Sequence, residues 1–258
     1  MTTDYTTVTE TWGLPASPEQ LAAQYHRYRL GAQLASGGTV LEVGCGSGMG
    51  LPYLEAHARI AVGGDYTMDL LREARRHLPD APLVRFDAQH LPFRDRVCDV
   101  VLMLEMIYYV ADQEAAIAEC RRVLKPGGTL MLSVPNPNRP DFNPSPFSTR
   151  YPNLGELARL MRQCGFDART YGDFPVEPAT ARDRVLEPVR GMAVRLHLVP
   201  RSMHMKAMVK RVLYGRLPKL GAVHDGMAGY AEPTELDPAE QSTPAFKTLY
   251  AVGVASSQ

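Results

Sequence analysis

Residues 40–50, VLEVGCGSGMG, place four glycines at alternate positions after an apolar run, a pattern typical of a strand leading into a ligand-binding loop. The spacing does not fit the G-x-G-x-x-G pattern of dinucleotide-binding loops, because Met49 and Leu51 fall where the third glycine is needed. No Gly-Lys-Ser or Gly-Lys-Thr follows, as a phosphate-binding loop requires. Glu42 lies two residues before Gly44, and its carboxylate would repel a diphosphate but suits a ligand with an ammonium or sulfonium group.

Polar side chains also follow the next predicted strands. Asp65 ends the second strand, Asp87 follows the third, and Glu105 and Tyr108 follow the fourth. Because ligands bind at the carboxyl ends of parallel strands, the loop after the first strand is the expected ligand-binding place, and the groups after the fourth strand lie where the sheet should present them. A carboxylate there could hold a polar ligand or accept a proton from it.

With these features in this order along the chain, the sequence resembles the class I S-adenosylmethionine-dependent methyltransferases over roughly residues 38 to 175. The resemblance rests on residues 42–48, Asp65, Asp87, the run Leu-Pro-Phe at 91–93 and the turn Leu-Lys-Pro-Gly-Gly at 124–128. It implies S-adenosyl-L-methionine as the cofactor. In the family, the residue matching Asp65 accepts hydrogen bonds from the ribose hydroxyls, and the residue matching Asp87 accepts one from the adenine amino group.

The resemblance implies a larger set of cofactor-binding residues. They are Tyr25, Glu42, Gly44, Cys45, Gly46, Gly48, Asp65, Tyr66, Asp87, Ala88 and Leu104. Other interpretations stay open for several of them. Glu42 could instead interact with a helix dipole, and Asp65 and Asp87 could be ordinary surface carboxylates at strand ends. Tyr25 and Tyr28 could belong to the apolar stripe of a helix that packs on the core.

Methyl transfer is an in-line displacement in which the protein mainly orients the reactants and excludes water. A hydroxyl acceptor usually also needs a base, and we predict Glu105 and Tyr108 as the catalytic pair. The family often carries a histidine near Tyr108, which this sequence lacks. His90 is expected to be an exposed loop residue, and His224 is a weaker candidate. The predicted acceptor is a small molecule methylated at a hydroxyl oxygen; carbon or nitrogen acceptors, and a non-catalytic cofactor-binding protein, are the alternatives.

Alternating strand and helix signals predict an α/β fold, a Rossmann-like, mostly parallel sheet of seven strands with helices on both faces. A helix begins after Ser17, others follow Asp112 and Asn153, and the last two strands are antiparallel. The expected division is an N-terminal arm and lid helix at 1–37, a cofactor-binding core at 38–175, a helical insertion at 176–245 and a final core strand at 246–258. Residues 1–15 are expected to be a mobile arm.

Two segments are predicted to shape the acceptor pocket. The loop after the fifth strand, residues 134–151, is rich in Pro and Asn, and its polar side chains suit a polyhydroxylated acceptor or cap their own turns. These side chains are Asn136, Asn138, Asp141, Asn143, Ser145 and Arg150. Between residues 181 and 220, basic residues interleave with apolar ones at helical spacing. This pattern is typical of a basic amphipathic helix. Such a helix could cover a phosphorylated or lipid-linked acceptor, contact a membrane surface, or pack on the core with a solvated basic face.

Composition narrows the function classes further. The 258 residues contain 28 Lys and Arg and 28 Asp and Glu, so net charge gives no reason to expect a nucleic-acid partner. The four cysteines lie far apart, which favours reduced thiols and no metal site. The N-terminal residues lack a signal-peptide pattern, and no apolar stretch reaches the ~18 residues that span a bilayer. We therefore expect a cytoplasmic protein.

Overall fold

The computed structural model describes residues 4–140, 142–176, 217–239 and 245–256. The helices are α1 (Pro18–Ala35), α2 (Leu51–Glu55), α3 (Met68–His77), α4 (Gln113–Val123) and α5 (Leu154–Gln163), with a 3-10 turn at Ile107–Tyr109. The strands are β1 (Thr39–Val43), β2 (Ile60–Asp65), β3 (Leu83–Arg85), β4 (Cys98–Leu104), β5 (Leu124–Pro135), β6 (Phe166–Pro175), β7 (Thr234–Leu236) and β8 (Phe246–Ala255). No helix in these ranges is long and apolar enough to span a membrane.

The strands form one sheet in the order β3-β2-β1-β4-β5-β8-β6-β7. Strands β1 to β5 are parallel, and β8 is antiparallel to both β5 and β6. The predicted α/β class, the parallel core and the antiparallel final strand are confirmed. Because β1, β2 and β4 are neighbours, their carboxyl ends lie side by side, which brings the glycine loop, Asp65 and Glu105 to one edge.

The predicted count of seven strands is one too low. The additional strand, β7, pairs antiparallel with Thr170–Gly172 of β6. It lies in the segment predicted to be helical, and residues 217–239 of that segment contain no helix. The three residues of β7 are too few to show an alternating pattern, so its pairing is decided by the open edge of β6. Residues 177–216, which carry nine of the ten basic residues of the predicted cap, lie outside the described residues.

Strand β5 also begins earlier than the predicted Thr129. Leu124 pairs with Cys98 and Thr129 pairs with Val100, so the register shifts between the two pairs. The Pro-Gly-Gly turn at 126–128 forms this irregularity. Because these residue types are typical of a turn between elements, the sequence predicts that the strand begins after them. The turn therefore lies within the strand rather than before it.

Capping residues position the helices as the sequence predicts. Ser17 and Gln20 form a reciprocal capping box at the start of α1, and Asn153 and Glu156 form another at the start of α5. The Asp112 side chain accepts a hydrogen bond from the Ala115 amide at the start of α4. These caps satisfy amide donors that have no partner within the helix.

Helix α1 packs closely on the loop that follows β1. A Cβ atom at Gly50 would lie 1.8 Å from Cε1 of Tyr28, so only glycine allows this approach. Tyr28 is buried beside Leu54 and Leu102 in one of the two large apolar clusters of the sheet. The other cluster contains α4 and α5, so helices cover both faces. The predicted arrangement of helices on both faces is confirmed.

A buried polar cluster joins α1 to β6 and to the chain after residue 217. Nδ1 of His26 lies 2.9 Å from a carboxylate oxygen of Asp173, and its Nε2 lies 2.9 Å from the Gly229 carbonyl oxygen. The Tyr250 hydroxyl donates to the same Asp173 oxygen at 3.2 Å. An imidazolium can donate both ring N–H groups to these acceptors, whereas a neutral imidazole can donate only one.

Asp173→Asn should destabilise the fold more at low pH than at high pH. Burial lowers the pKa of His26, but the hydrogen bond and charge of Asp173 outweigh it and hold that pKa above 6.5. The stabilisation is therefore complete below pH 6.5 and is lost as the pH rises through the folded-state pKa. We expect a cost of about 1–3 kcal/mol in the free energy of unfolding at pH 5.5, measured by urea titration, and a smaller cost at pH 8.5.

The matched control is Glu19→Gln, which removes an exposed pair with Lys247. Its cost should stay below about 1 kcal/mol at both pH values, because surface ion pairs contribute little. An equal cost of Asp173→Asn at the two pH values would contradict the assignment of an imidazolium at His26.

Candidate active site

A cavity of about 480 Å³ lies at the carboxyl ends of β1, β2 and β4. Its floor is formed by the glycine loop and by the residues that end these strands. Helix α1 and the N-terminal arm, residues 4–16, form one side, and the loop that follows β5 forms another. Its size is that of a typical small-molecule site.

The glycine loop brings bare backbone to the cavity wall. Gly44 and Gly46 have φ values of 80° and 56°, in the left-handed region that favours glycine. A Cβ atom at Gly44 would lie 2.7 Å from Cγ of Met106, so the position also requires glycine for space. The Gly44 and Cys45 amides donate to the Gly64 carbonyl at 2.8 and 2.9 Å, which fixes the loop against β2.

Asp65 ties the ends of β1 and β2 together. Its carboxylate accepts hydrogen bonds from the Gly46 amide at 2.9 Å and the Thr67 amide at 2.8 Å. Burial raises the pKa of Asp65, and these two amides oppose the rise. The side chain is buried yet lines the cavity, and each oxygen can accept further hydrogen bonds from a ligand.

Residues 86–89 form the wall beyond Asp65 and Tyr66. Asp87 is half-buried, and its Oδ1 accepts hydrogen bonds from the Gln89 amide at 2.9 Å and the Gln89 side chain at 3.2 Å. Ala88 is buried beside it. Asp65, Tyr66, Asp87 and Ala88 therefore line one continuous side of the cavity, where the sequence predicts contacts with a nucleoside.

Glu105 is the first residue after β4, has a φ of 57° in the left-handed region, and lines the cavity. Its Oε1 accepts a hydrogen bond from the Ser133 hydroxyl at 3.3 Å, and its Oε2 accepts one from the Tyr108 hydroxyl at 3.4 Å. Burial raises the pKa of Glu105, and the guanidinium of Arg27 opposes the rise. A carboxylate with a raised pKa is suited to accept a proton. The structure thus brings the predicted catalytic residues together.

Arg27 of α1 is a cavity residue that the sequence analysis did not identify. Its side chain is 16% exposed, and its nearest ion pair is a long one, 3.9 Å from Nη2 to Oε2 of Glu10. Its buried Nε has no hydrogen-bond partner among the described residues. Burial lowers the pKa of Arg27, but the carboxylates of Glu105 and Glu10 outweigh this effect and raise it.

Glu42 lies behind the cavity rather than in its lining. It is 1% exposed, and its Oε1 accepts a hydrogen bond of 2.5 Å from the Tyr28 hydroxyl. Its Oε2 is buried with no partner among the described residues. Burial raises the pKa of Glu42 from 4.5 to about 7, although Tyr28 and Arg27 oppose the rise. The carboxylate acts on the cavity through its charge and through its hold on Tyr28.

Residues 4–15, which the sequence predicts as a mobile arm, pack across the cavity. The Trp12 indole donates a hydrogen bond of 2.7 Å to the Ser47 carbonyl in the glycine loop and stacks on His77. Tyr5 packs edge-on against Tyr109 and Phe147. These contacts are with residues distant in sequence, so local patterns in a polar arm gave no signal of them.

The loop after β5 supplies the opposite wall. The Tyr109 hydroxyl donates to Oγ of Ser145 at 2.6 Å, and the Ser145 amide donates to the Tyr151 hydroxyl at 2.9 Å. Asn143 also lines the cavity. By contrast, Asn136 is buried, and its side chain accepts a hydrogen bond from the amide of Asn138. Asn136 therefore caps its own turn, which was one of the two alternatives for these side chains. Arg150 pairs with Glu156 outside the cavity, and Asp141 lies outside the described residues.

Several other predicted residues do not reach the cavity lining. The prediction that Tyr25 contacts the cofactor is not supported, because its hydroxyl donates to Asp225 on the far side of α1 at 2.9 Å. A Cβ atom at Gly48 would point toward Ala74, Leu78 and Leu51, and Gly48 is not part of the cavity lining. His90 and His224 are exposed and also lie outside the lining. The lining does contain Gly44, Cys45, Gly46, Asp65, Tyr66, Asp87, Ala88, Leu104, Glu105 and Tyr108.

Known proteins are similar to this chain in sequence. A family model described as a methyltransferase domain matches residues 41–132. A Cereibacter sphaeroides protein named phosphatidylethanolamine N-methyltransferase is 31% identical over 157 residues, which are 58% of this chain and 71% of that protein. A Mycolicibacterium smegmatis protein named "probable S-adenosylmethionine-dependent methyltransferase" is 35% identical over 154 residues, 57% of this chain. The chain covers 59% of the length of the latter relative.

Solved structures share the fold as well. The crystal structure of the YcgJ protein from Bacillus subtilis aligns with a TM-score of 0.58 at 17% identity. The alignment covers 90% of this chain and 99% of that one. At this identity the likeness concerns the fold alone.

Tyr28→Phe should destabilise the protein mainly above neutral pH. Glu42 prefers its neutral form in the folded state, so stability falls as the pH rises from 4.5 through about 7. Without the Tyr28 hydroxyl, the ionised carboxylate loses its one hydrogen-bond donor among the described residues. We expect a cost of about 1–3 kcal/mol in the free energy of unfolding at pH 8, measured by urea titration, and a smaller cost at pH 5.5.

Tyr53→Phe provides the comparison for this variant. The Tyr53 hydroxyl also donates to a carboxylate, at 2.8 Å to Asp225, but that carboxylate is 66% exposed. Its removal should cost the same at both pH values. A Tyr28→Phe cost independent of pH would exclude titration of Glu42 in this range.

Proposed function

Because this chain belongs to the class I S-adenosylmethionine-dependent methyltransferases, we propose that it methylates a small-molecule acceptor at a hydroxyl oxygen. The observation that carries the acceptor chemistry is Glu105, a carboxylate held at the carboxyl end of β4 beside Tyr108. A hydroxyl is a weak nucleophile until its proton is removed, and Glu105 is the proton acceptor in the cavity.

The residues present fit the cofactor. Gly44 and Gly46 leave space at the wall that a side chain would fill, and Asp65 retains acceptor capacity beyond its two amide partners. We propose that Asp65 binds the ribose hydroxyls and that Asp87 binds the adenine amino group. The Nε of Arg27, which has no hydrogen-bond partner among the described residues, suits the carboxylate of the methionine moiety. The charge of Glu42, which lies behind the cavity, favours the positively charged ammonium group.

When bound, S-adenosylmethionine supplies an electrophilic methyl group on a sulfonium leaving group. The chain's own contribution is to orient the acceptor and to remove its proton. Glu105 takes the hydroxyl proton onto a carboxylate oxygen, and Tyr108 and Ser133 hold that carboxylate in place. Residues of the arm, among them Tyr5, cover the cavity and limit the access of water.

A nitrogen acceptor is the second candidate. The relative named phosphatidylethanolamine N-methyltransferase carries that activity in its name, and its alignment covers 58% of this chain. Glu105 could equally hold an ammonium group and accept its proton before attack. Mass spectrometry of the methylated product separates the two acceptors, because methyl ethers and methylamines fragment differently.

A protein that binds the cofactor without turnover remains the third interpretation, since the cofactor residues predict binding in both cases. The absence of a nucleic-acid partner and a cytoplasmic location stay predictions, as does contact with a membrane surface. Methyl transfer to any small molecule would exclude the non-catalytic interpretation.

Asp65→Ala should weaken the binding of S-adenosylhomocysteine by about 1–3 kcal/mol, or roughly 5- to 150-fold in Kd. The reason is that the variant loses charged hydrogen bonds to the ligand and the tie to the Gly46 amide. Isothermal titration calorimetry measures the effect. Asp69→Ala, which changes an exposed carboxylate paired with Arg72 on α3, should bind like the wild type. Equal binding by both variants would contradict the cofactor site.

Glu105→Gln should lower kcat by about 10²- to 10⁴-fold while leaving S-adenosylhomocysteine binding within about twofold. The amide is similar in shape to the carboxylate but cannot accept the proton. Steady-state kinetics with an acceptor that the wild-type protein methylates measure the first effect. Calorimetry with S-adenosylhomocysteine measures the second. An unchanged kcat would remove Glu105 from its role as base.

A further inference from the structure

The cavity has a second side that the cofactor residues leave free. We call this side the acceptor wall: Glu105, Tyr108, Tyr109, Asn143, Ser145 and Tyr151. It combines one carboxylate with an amide and four hydroxyl groups. Hydroxyls both donate and accept hydrogen bonds and can rotate to suit a partner. The wall is therefore rich in groups that recognise other hydroxyls.

Glu105 has unused acceptor capacity on both oxygens. Its hydrogen bonds from Ser133 and Tyr108 are long, 3.3 and 3.4 Å, whereas hydroxyl hydrogen bonds to a carboxylate are commonly about 2.5–2.7 Å. A carboxylate offers about four acceptor positions, two on each oxygen. Two hydroxyl groups of a ligand can thus approach Glu105 together and form shorter bonds than those it makes within the protein.

The ring faces of the wall are paired with each other. Tyr108 stacks on Tyr151 with 4.2 Å between ring centroids, and Tyr109 lies 4.6 Å from Tyr108. Tyr5 places its ring edge-on against Tyr109 at 5.1 Å. A cage for a quaternary ammonium group requires open ring faces. Here the ring faces pack on one another, which leaves the hydroxyl groups of the tyrosines to form hydrogen bonds with a ligand.

The charges near the wall disfavour an anionic acceptor. Among the described residues of the lining, Arg27 is the one cation, and it already faces Glu10 and Glu105. A phosphate or carboxylate on the acceptor would lie close to these two carboxylates without a cation of its own. The phosphorylated acceptor considered from the sequence depended on basic residues at 181–220, nearly all of which lie outside the described residues.

We infer that the acceptor is an uncharged polyol, and that Glu105 binds two of its neighbouring hydroxyl groups, one on each carboxylate oxygen. The inference rests on the proposed function and names its substrate class. One of the two hydroxyls is methylated: its oxygen gains the methyl group, its proton passes to Glu105, and the cofactor sulfur keeps the electron pair of the broken bond. Ser145 and Asn143 bind further hydroxyl groups of the polyol and position it in the cavity.

The first experiment measures binding without turnover. The protein is saturated with S-adenosylhomocysteine, as verified by calorimetry, and is then examined by saturation-transfer NMR. The probes are myo-inositol and the methyl glycosides of glucose, galactose, mannose and xylose. Each glycoside is compared with available monodeoxy and 6-phosphate analogues and, for glucose, with the 2-amino analogue. Glu105→Gln is the test variant, and Asp69→Ala, on the exposed surface of α3, is the control.

The second experiment follows transfer from S-adenosylmethionine with a deuterated methyl group to the same probes by mass spectrometry. We expect at least one uncharged polyol to bind and to accept the label. Loss of the hydroxyl next to the methylated one should reduce kcat/KM by about tenfold or more. The kcat/KM for the phosphorylated analogue should be lower by a similar factor. Ser145→Ala should raise KM and leave kcat within about twofold.

Each outcome decides the inference. Preferred use of a phosphorylated or aminated probe, equal use of the analogue that lacks the hydroxyl next to the methylated one, or no binding of any uncharged polyol to the saturated protein would overturn it. In these cases the proposed cofactor site stands, because binding of S-adenosylhomocysteine has been established first, and the proposed function is then tested by methyl transfer to acceptors of other classes. A failure of S-adenosylhomocysteine to bind would instead overturn the proposed function and, with it, the inference.

Discussion

Acidic side chains gathered at the carboxyl end of the sheet impose the constraint on which the rest of the site depends. Glu42 and Asp65 are buried and Glu105 is half-buried, and burial raises the pKa of all three. Ionised carboxylates in such places need nearby hydrogen-bond donors or positive charge. The protein supplies backbone amides to Asp65 and the Tyr28 hydroxyl to Glu42.

Helix α1 provides part of this compensation and so becomes part of the site. It carries Tyr28, which holds Glu42, and Arg27, whose charge acts on both Glu42 and Glu105. The close approach of the helix depends on Gly50, where any side chain would collide with Tyr28. On its other side the helix is fixed by hydrogen bonds from Tyr25 to Asp225 and from His26 to Asp173. A positively charged ligand would relieve the remaining excess of negative charge, which fits a sulfonium cofactor.

The acceptor side is built on different principles from the cofactor side. Cofactor residues come from strand ends and from a loop fixed by backbone hydrogen bonds, so their positions follow from the sheet. The acceptor wall comes largely from the 142–151 loop, which is held by side chains such as Ser145 and Tyr109. Loops of this kind vary more readily than the strands that support them. We therefore propose that the fold fixes the cofactor while the loop selects the acceptor.

The sequence alone determined the parallel core, the capped starts of α1, α4 and α5, and the polar residues at strand ends, because periodicity, capping and strand-end position are local signals. It identified Glu105 and Asp65 for the same reason. Only the tertiary structure decided the roles of Arg27 and Tyr28, the packing of Trp12 on the glycine loop and the pairing of β7, since each depends on contacts between distant segments. It also placed Tyr25 away from the cavity, because the spacing of a helical stripe does not show which neighbour each residue faces.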